Sequence, residues 1–450
     1  MLKLYREALR ARPDGSGAHS SIEQAKDIPL TSVSIPAWRL YGQPLQSLLT
    51  ASQLGDRVKI RTPWPVYLFN DPELAQHVLK QTDLSFNKDT LDYRLFNAFV
   101  APGIITSSGE PWKRARNGAK QCLHHGQYAL MQPVLDHALN DLMSRFKQAK
   151  HSGEALDIGA CVNLLSYRVI CYLIFGVEVN DEQLAFAQQL ESMRFSVVEG
   201  LLLACPWLPV GRNSRMGAIH QQFDRLIQQL SALSDQHNRP CVYQALKQRI
   251  EPGQLYHELK NFIFSGSTVT NLMVWCFYAL ARGGQSSEKV YQESASIKGF
   301  SLDQKVLDSM KYSRCFVKEA MRLYPPVWQM SRRCTHTHTV CGHQFKKGDV
   351  VWVSPWTLHR NPRYWQDAEA FRPERFLNEE NIPKNAYLPF SAGPRMCLGR
   401  HFGFNEALAT VVTAASQFRF TISDQTAARP LKLETLISVK FGGRLLLQLH

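Results

Sequence analysis

Between Pro252 and Pro325 the chain contains no proline, and from Gly253 to the Gly283-Gly284 pair it keeps an apolar helical pattern. Proline breaks a helix interior and glycine commonly ends a helix, so the pattern predicts one helix of roughly 45 Å at 1.5 Å per residue. A helix of that length crosses a whole domain, and the remainder of the chain must pack around it. Its middle, "FSGSTVT" at 264–270, breaks the apolar pattern with Ser265, Gly266, Ser267, Thr268 and Thr270. Glycine inside a helix costs about 1 kcal/mol relative to alanine, and Ser or Thr there bond preceding carbonyls and bend the helix. A polar interruption in a buried helix implies that something lies against it.

Most of the chain around this helix is read as helical. The stretch "GDRVKIRTPWPVYLFNDPELAQHVL" alternates and then turns helical after Asn70-Asp71-Pro72, which predicts two short strands and a helix. A helix over "RCFVKEAMRLY" ends at Pro325-Pro326, and another starts after Cys397 and runs through "RHFGFNEALATVVTAASQ". Residues from about 175 to 240 also read as helices, with an irregular turn at "CPWLPVGRNS". No repeat, low-complexity tract or Pro/Gly/Ser linker divides the 450 residues, so one continuous domain over 37–450 is expected after an N-terminal extension, 1–36.

Lys and Arg number 52 against 38 Asp and Glu, so the net charge is 52 − 38 = +14. That balance favours an acidic partner, an anionic membrane surface or nucleic acid, and charge alone does not choose. No nucleic-acid motif is visible, and none is expected as a partner. The N-terminal "MLKLYREALRARPDG" has no continuous apolar core, and no later run of ~18 apolar residues is evident, so no signal peptide or membrane span is expected. Ten scattered cysteines lack the density of a secreted disulfide scaffold and suit reduced thiols in a cytoplasm.

The segment "PFSAGPRMCLGRHFG" at 389–403 delivers Cys397 on a Pro/Gly loop to the start of a helix. Free backbone N–H groups and the positive end of the helix dipole stabilise a thiolate there. Arg395 adds a cation, Gly393 lets the loop turn, and Gly399 lets a flat object approach the helix. The chemistry open to Cys397 is metal ligation or nucleophilic attack; a lone cysteine is more often an ordinary buried one. Cys334, His336, His338, Cys341 and His343, like Cys122, His124 and His125, miss the spacing of a zinc finger or ribbon and are expected to bind no metal.

Phe390-x-x-Gly393-x-Arg395-x-Cys397-x-Gly399 resembles the heme-binding signature of the cytochrome P-450 superfamily at every position. Glu319-x-x-Arg322 resembles the family's buried pair, with both side chains on one helical face, and Arg375 of "FRPERF" would complete its Glu-Arg-Arg cluster. Trp112-x-x-x-Arg116 and Arg332 resemble the contacts to the heme propionates, for which an indole N–H and a guanidinium are suited donors. The resemblance runs from about residue 37 to the end. It implies the single-domain P-450 fold, mainly α with small β-sheets, and heme b (iron protoporphyrin IX) held between the long helix and the helix after the cysteine. Cys397 would be the axial iron ligand.

The same resemblance implies a soluble, monomeric, cytoplasmic heme-thiolate monooxygenase of bacterial secondary or lipid metabolism. It would insert one oxygen atom from dioxygen into a mainly apolar small molecule. Its substrate pocket would include Phe96, Phe99, Ile105, Phe262, Val327, Trp328 and Ile437. Electrons would come from an acidic ferredoxin or flavodoxin steered to Lys113, Arg114, Arg116, Lys120, Arg400 and His401. In the long helix Gly266 matches the family and would make room for dioxygen, but Thr268 replaces its acid and Val269 its alcohol. A relay through Ser267, Thr268, Thr270 and water is the expected substitute. The alternatives are a peroxide-driven or non-oxygenating enzyme of the same fold and a heme-binding sensor; or the hydroxyls simply satisfy helix carbonyls.

Overall fold

The computed structural model describes residues 30–62, 65–123, 128–180, 183, 215–297, 302–435 and 438–450, and excludes the side chains of 37, 38, 41, 98, 99, 215–220 and 267. Ile437, the turn expected at 205–214, His124, His125, and the side chains of Phe99 and Ser267 therefore lie outside the described residues.

The first strand, β1 (Leu30–Ser34), pairs in parallel with β2 (Arg57–Arg61), so the sheet begins ahead of the boundary expected at residue 37. The two strands expected next are β2 and β3 (Val66–Phe69), paired antiparallel with Val58 opposite Leu68. Helix α1 (Pro72–Lys80) follows, started by the Asp71 carboxylate accepting from the Leu74 N–H at 2.8 Å and by proline at its first position. Strand β4 (Phe86–Asn87), helix α2 (Leu91–Phe99) and helix α3 (Gly109–Lys120) come next.

Helix α4 (Ile158–Phe175) is capped by Asp157 and ended by Gly176 at φ 70°. The long helix is α5 (Pro252–Ala281), close to the span expected from the proline spacing. Helix α6 (Lys311–Leu323) stops before Pro325, and β5 (Met330–Cys334) and β6 (Val350–Val353) complete a six-stranded sheet of order β1-β2-β3-β6-β5-β4. Helix α7 (Arg400–Gln417) follows the cysteine loop. The architecture is mainly α with small sheets, as the sequence implies.

Helix α5 runs through the large helical core between α4 and α7. Trp275 anchors its C-terminal half, stacked on Tyr324 with ring centroids 3.9 Å apart and donating from Nε1 to the Val439 carbonyl at 3.1 Å. A second core lies between the sheet and α1, where Phe69, Leu74, Val78, Phe86 and Phe345 meet. By length and mean hydropathy alone α4 and α5 could each cross a membrane, although polar residues interrupt both, so neither is a continuous apolar run. With 67% and 71% of their apolar windows buried inside the protein, both serve as core helices here.

Candidate active site

The loop before α7 is folded by its own sequence. Gly393 adopts φ +70°, and a Cβ there would fall 2.6 Å from the Leu79 carbonyl oxygen and the Lys80 Cα of α1, so both its conformation and its clearance require glycine. The Cys397 N–H then turns back to the Phe390 carbonyl at 3.0 Å. Arg395 locks the loop to the segment after α1 through two bonds to Asp83, both 2.7 Å.

A second brace comes from α6. Arg322 holds Glu319 through Nε and Nη2 at 2.7 and 2.8 Å, with both side chains fully buried. Arg375 adds a 3.1 Å bond to the same carboxylate, and Arg322 Nη1 donates to the His359 carbonyl at 2.7 Å. His359 Nε2 in turn accepts from the Leu388 N–H at 2.8 Å, just before the cysteine loop. Burial and the neighbouring Arg322 charge push the His359 imidazole down to about 3, which keeps it a neutral acceptor for that N–H. The three residues expected as structural support are thus brought together.

Cys397 opens onto a cavity of about 500 Å3 bounded by α2, α3, α5, the Pro326–Arg332 segment and the cysteine loop. Its side chain is exposed by accessible area although protein surrounds it, because the surface it shows is that of the cavity. Burial raises the thiol pKa, while the Gly399 N–H and the charges of Arg116 and Arg400 favour the thiolate. A Cβ at Gly399 would meet nothing within 4 Å, so the floor beside the sulfur is flat and open.

Along one wall the cavity is strongly cationic. Arg116 donates to the Met396 carbonyl at 2.8 Å, and Arg395 lies 3.8 Å from the centre of the Trp112 ring. Arg332 bonds Thr82 at 2.8 Å and the Tyr93 hydroxyl at 3.1 Å. Lys88, fully enclosed and pushed well below its ordinary pKa by burial, feels the charges of Arg332, Arg395 and Arg116. Two buried donors there have no protein partner, Trp112 Nε1 and Arg395 Nη1. Buried donors demand acceptors, so this wall calls for anionic groups. Heme, flat and apolar with two carboxylates on one edge, fits the thiolate, the open floor at Gly399 and these orphaned donors.

Of the residues expected at the cofactor, Trp112, Arg116, Arg332, Phe390, Arg395, Cys397 and Gly399 all border the cavity. Gly393 does not, and serves the turn against α1 instead. Lys88, Asp92, Ser331 and Glu406 also border it and were not singled out by the sequence. Each is carried by an unremarkable local pattern and acquires its place only through tertiary packing; "NKDT", with a lysine just ahead of a helix, was the nearest signal for Lys88.

On α5 the structure alters several expectations. Gly266 borders the cavity, but its absent side chain is required by α4: a Cβ would fall 2.8 Å from Ile170 Cγ1. Ser265 donates its hydroxyl to the Asn261 carbonyl and Thr268 to the Ser265 carbonyl, both at 2.7 Å, so each satisfies a helix carbonyl. Thr268 still faces the cavity. Thr270, expected in a relay, does not border the cavity and is buried with its hydroxyl unpartnered. One residue beyond Val269, the helical step of about 100° turns it away. Phe96, Ile105, Phe262, Val327 and Trp328 line the cavity as expected.

The cytochrome P450 family profile matches residues 58–442. Cyclooctatin synthase from Streptomyces melanosporofaciens is 26% identical over 86% of this chain and 88% of its own length. Pentalenene oxygenase from Streptomyces avermitilis is 24% identical over 89% and 92%. The crystal structure of CYP175A1 from Thermus thermophillus superposes with a TM-score of 0.75 at 21% identity, covering 93% of this chain and 99% of that one, a likeness of fold. With the thiolate loop, its brace and the cationic wall assembled in one cavity, the chain belongs to the cytochrome P450 family and is a heme-thiolate monooxygenase.

Proposed function

We propose that the protein inserts one oxygen atom from dioxygen into a mainly apolar small molecule, by hydroxylation or epoxidation, with electrons from a separate acidic ferredoxin or flavodoxin. The observation that carries this reading is the lining of the cavity over Cys397. Phe96, Ile104, Phe262, Val327 and Trp328 present hydrocarbon to whatever lies there, and such a wall binds by apolar burial. The similarity to a pentalenene oxygenase supports oxygen insertion.

When bound through Cys397, heme supplies an iron centre whose thiolate ligand favours O–O bond cleavage. Trp112, Arg116, Arg332, Arg395 and Lys88 would hold its carboxylates, and Phe390 and Gly399 would border its face. The apolar side chains of α2, α5 and the segment after Pro326 would exclude water and hold the substrate on their side of the cavity. Thr268 has its proton engaged by the Ser265 carbonyl and keeps its oxygen lone pairs to accept a proton-bearing partner in the cavity.

Arg114 and Lys120 on the exposed face of α3, with Arg400 and His401 at the start of α7, supply a basic surface on the cysteine side. Such a surface steers an acidic electron donor. The described cysteines are free thiols, which supports a reducing cytoplasm; we place the enzyme there as a monomer with one catalytic domain, in secondary metabolism.

A peroxide-driven reaction is the second reading. It is favoured by one observation, that Val269 offers no hydroxyl and Thr268 has donated its own within the helix. Turnover of apolar compounds chosen by their shift of the heme spin state, run under 18O2 with a ferredoxin system, separates the two. Label in the product supports monooxygenation. Product formed only with peroxide, and without label from 18O2, overturns it.

A further inference from the structure

Two carboxyls border the cavity, Asp92 and Glu406. Asp92 stands in the first turn of α2 and borders the cavity, one helical turn before Phe96, whose ring meets Phe264 of α5 edge-on. Protein encloses it, yet its side chain keeps accessible surface, and that surface is the cavity's. Around it a polar corner is set in an apolar wall. Gln329 Nε2 donates to Asp92 Oδ2 at 3.3 Å. Ser331 Oγ lies 2.7 Å from Thr90 Oγ1, and its hydroxyl, beside the carboxylate, acts to lower the Asp92 pKa against the rise from burial. Ser331 has one proton; spent on Asp92, it leaves Thr90 to donate to Ser331. Gln329 thus donates directly to Asp92, and Thr90 stands behind Ser331 rather than facing the carboxylate.

A carboxylate accepts at about four lone-pair positions. Ser331, Gln329 and the residue's own backbone N–H supply donors, which leaves acceptor capacity on the cavity side. Leu95, Phe96, Ile104 and Trp328 on the same cavity offer no side-chain donor to it apart from the Trp328 indole. A buried acceptor left short of a partner costs about 1–3 kcal/mol. Burial raises the carboxyl's pKa, and the bonds from Ser331 and Gln329 oppose that rise.

We propose that Asp92 anchors the substrate by accepting a hydrogen bond from a hydroxyl on an otherwise apolar molecule, and so fixes which end of it approaches Cys397. This rests on the reading of the cavity as a site for apolar substrates. A carboxylate head is disfavoured because it would meet Asp92 as a like charge.

The test titrates the holoenzyme with 1-octanol, n-octane and octanoate by calorimetry, for the wild type, Asp92→Ala and Asp92→Asn. The reduced carbon monoxide spectrum checks that each variant keeps its thiolate heme. Wild type is expected to bind 1-octanol about tenfold more tightly than n-octane, the fold-change of one such hydrogen bond. Asp92→Ala is expected to lose that preference with n-octane affinity unchanged, and Asp92→Asn, which keeps an acceptor oxygen, to retain most of it. A preference that survives in Asp92→Ala overturns the proposal, as does tighter binding of octanoate than of 1-octanol to the wild type. Where Asp92→Ala does not fold, the order of wild-type affinities decides alone. Wild-type enzyme with an intact heme spectrum that binds none of the three overturns the apolar-substrate reading itself, and the proposal with it.

Discussion

Val269 of α5 meets α7 at Gly403: a Cβ on the glycine would lie 3.0 Å from Val269 Cγ2. The two positions therefore share one small volume. Gly403→Ala gains helix propensity of up to about 1 kcal/mol, but overpacking costs about 1–3 kcal/mol where neighbours cannot yield. With Val269 present the alanine is expected to lower Tm. In a Val269→Ala background the clash is gone and the same change should raise it. Equal Tm shifts in both backgrounds would show that the contact carries no coupling.

Thr268 and Thr270 differ in what their hydroxyls face, and substitution separates them. Thr268→Val removes the hydroxyl that borders the cavity and is expected to lower product formed per electron pair by about tenfold or more. Thr270→Val removes a buried hydroxyl that has no partner and keeps the shape, so stability should rise by about 1 kcal/mol. Coupling measured as product per NADPH, alongside melting curves, reads both. Equal loss of coupling in the two variants would return Thr270 to the relay.

What could be read from the sequence was what chain-local spacing determines. The run Phe390 to Gly399 lies on one loop, Glu319 and Arg322 on one helical turn, and the ends of α5 are written in prolines and glycines. Lys88 and Asp92 share one short stretch and Glu406 comes from α7; they meet only at the cavity, and little beyond "NKDT" in their neighbours' identities announces it. Gly266 shows the opposite error. Its residue type was legible, but the cause lay a helix away at Ile170. The hydroxyls of Ser265 and Thr268 could be counted in sequence, while the carbonyls that absorb their protons depend on side-chain rotamers.

The Glu319 and Arg322 pair is fully buried, so removing one charge strands the other. Breaking a buried pair in this way costs about 3–5 kcal/mol. Glu319→Gln is expected to destabilise by that order and to reduce heme retained after gel filtration, because the Arg322 bond to the His359 carbonyl and the His359 bond to Leu388 hold the cysteine loop. Arg375→Ala should cost less, since Arg375 is partly exposed, gives Glu319 one 3.1 Å bond among several that the carboxylate accepts, and spends its other donors on the Gln366, Asp367 and Ala370 carbonyls. A Glu319→Gln enzyme with wild-type Tm and full heme content would sink this account of the brace.

Glu258 of α5 ties the loop beside the cavity to the long helix. Its carboxylate accepts from the Ile104 N–H at 2.6 Å, while Asn261 bonds the Ala101 carbonyl at 3.0 Å and the Ile105 N–H at 3.4 Å. Burial raises its pKa from 4.5 to about 7, against the opposing bonds from Ile104 and Gln254. Between those values the folded protein holds a proton that the unfolded chain has released. Stability from this group is therefore greatest below about pH 4.5 and declines as pH rises through 7, by about 3 kcal/mol at most. Glu258→Gln keeps an acceptor oxygen for Ile104 but cannot ionise, so the decline should vanish. The Tm of the variant minus that of the wild type is expected to grow between pH 5 and pH 8, and the protection of the Ile104 amide, corrected for the intrinsic pH dependence of exchange, should fall with rising pH in the wild type alone. A Tm difference that stays constant across that range would mean that Glu258 does not titrate there, and that the loop is held equally at either end of it.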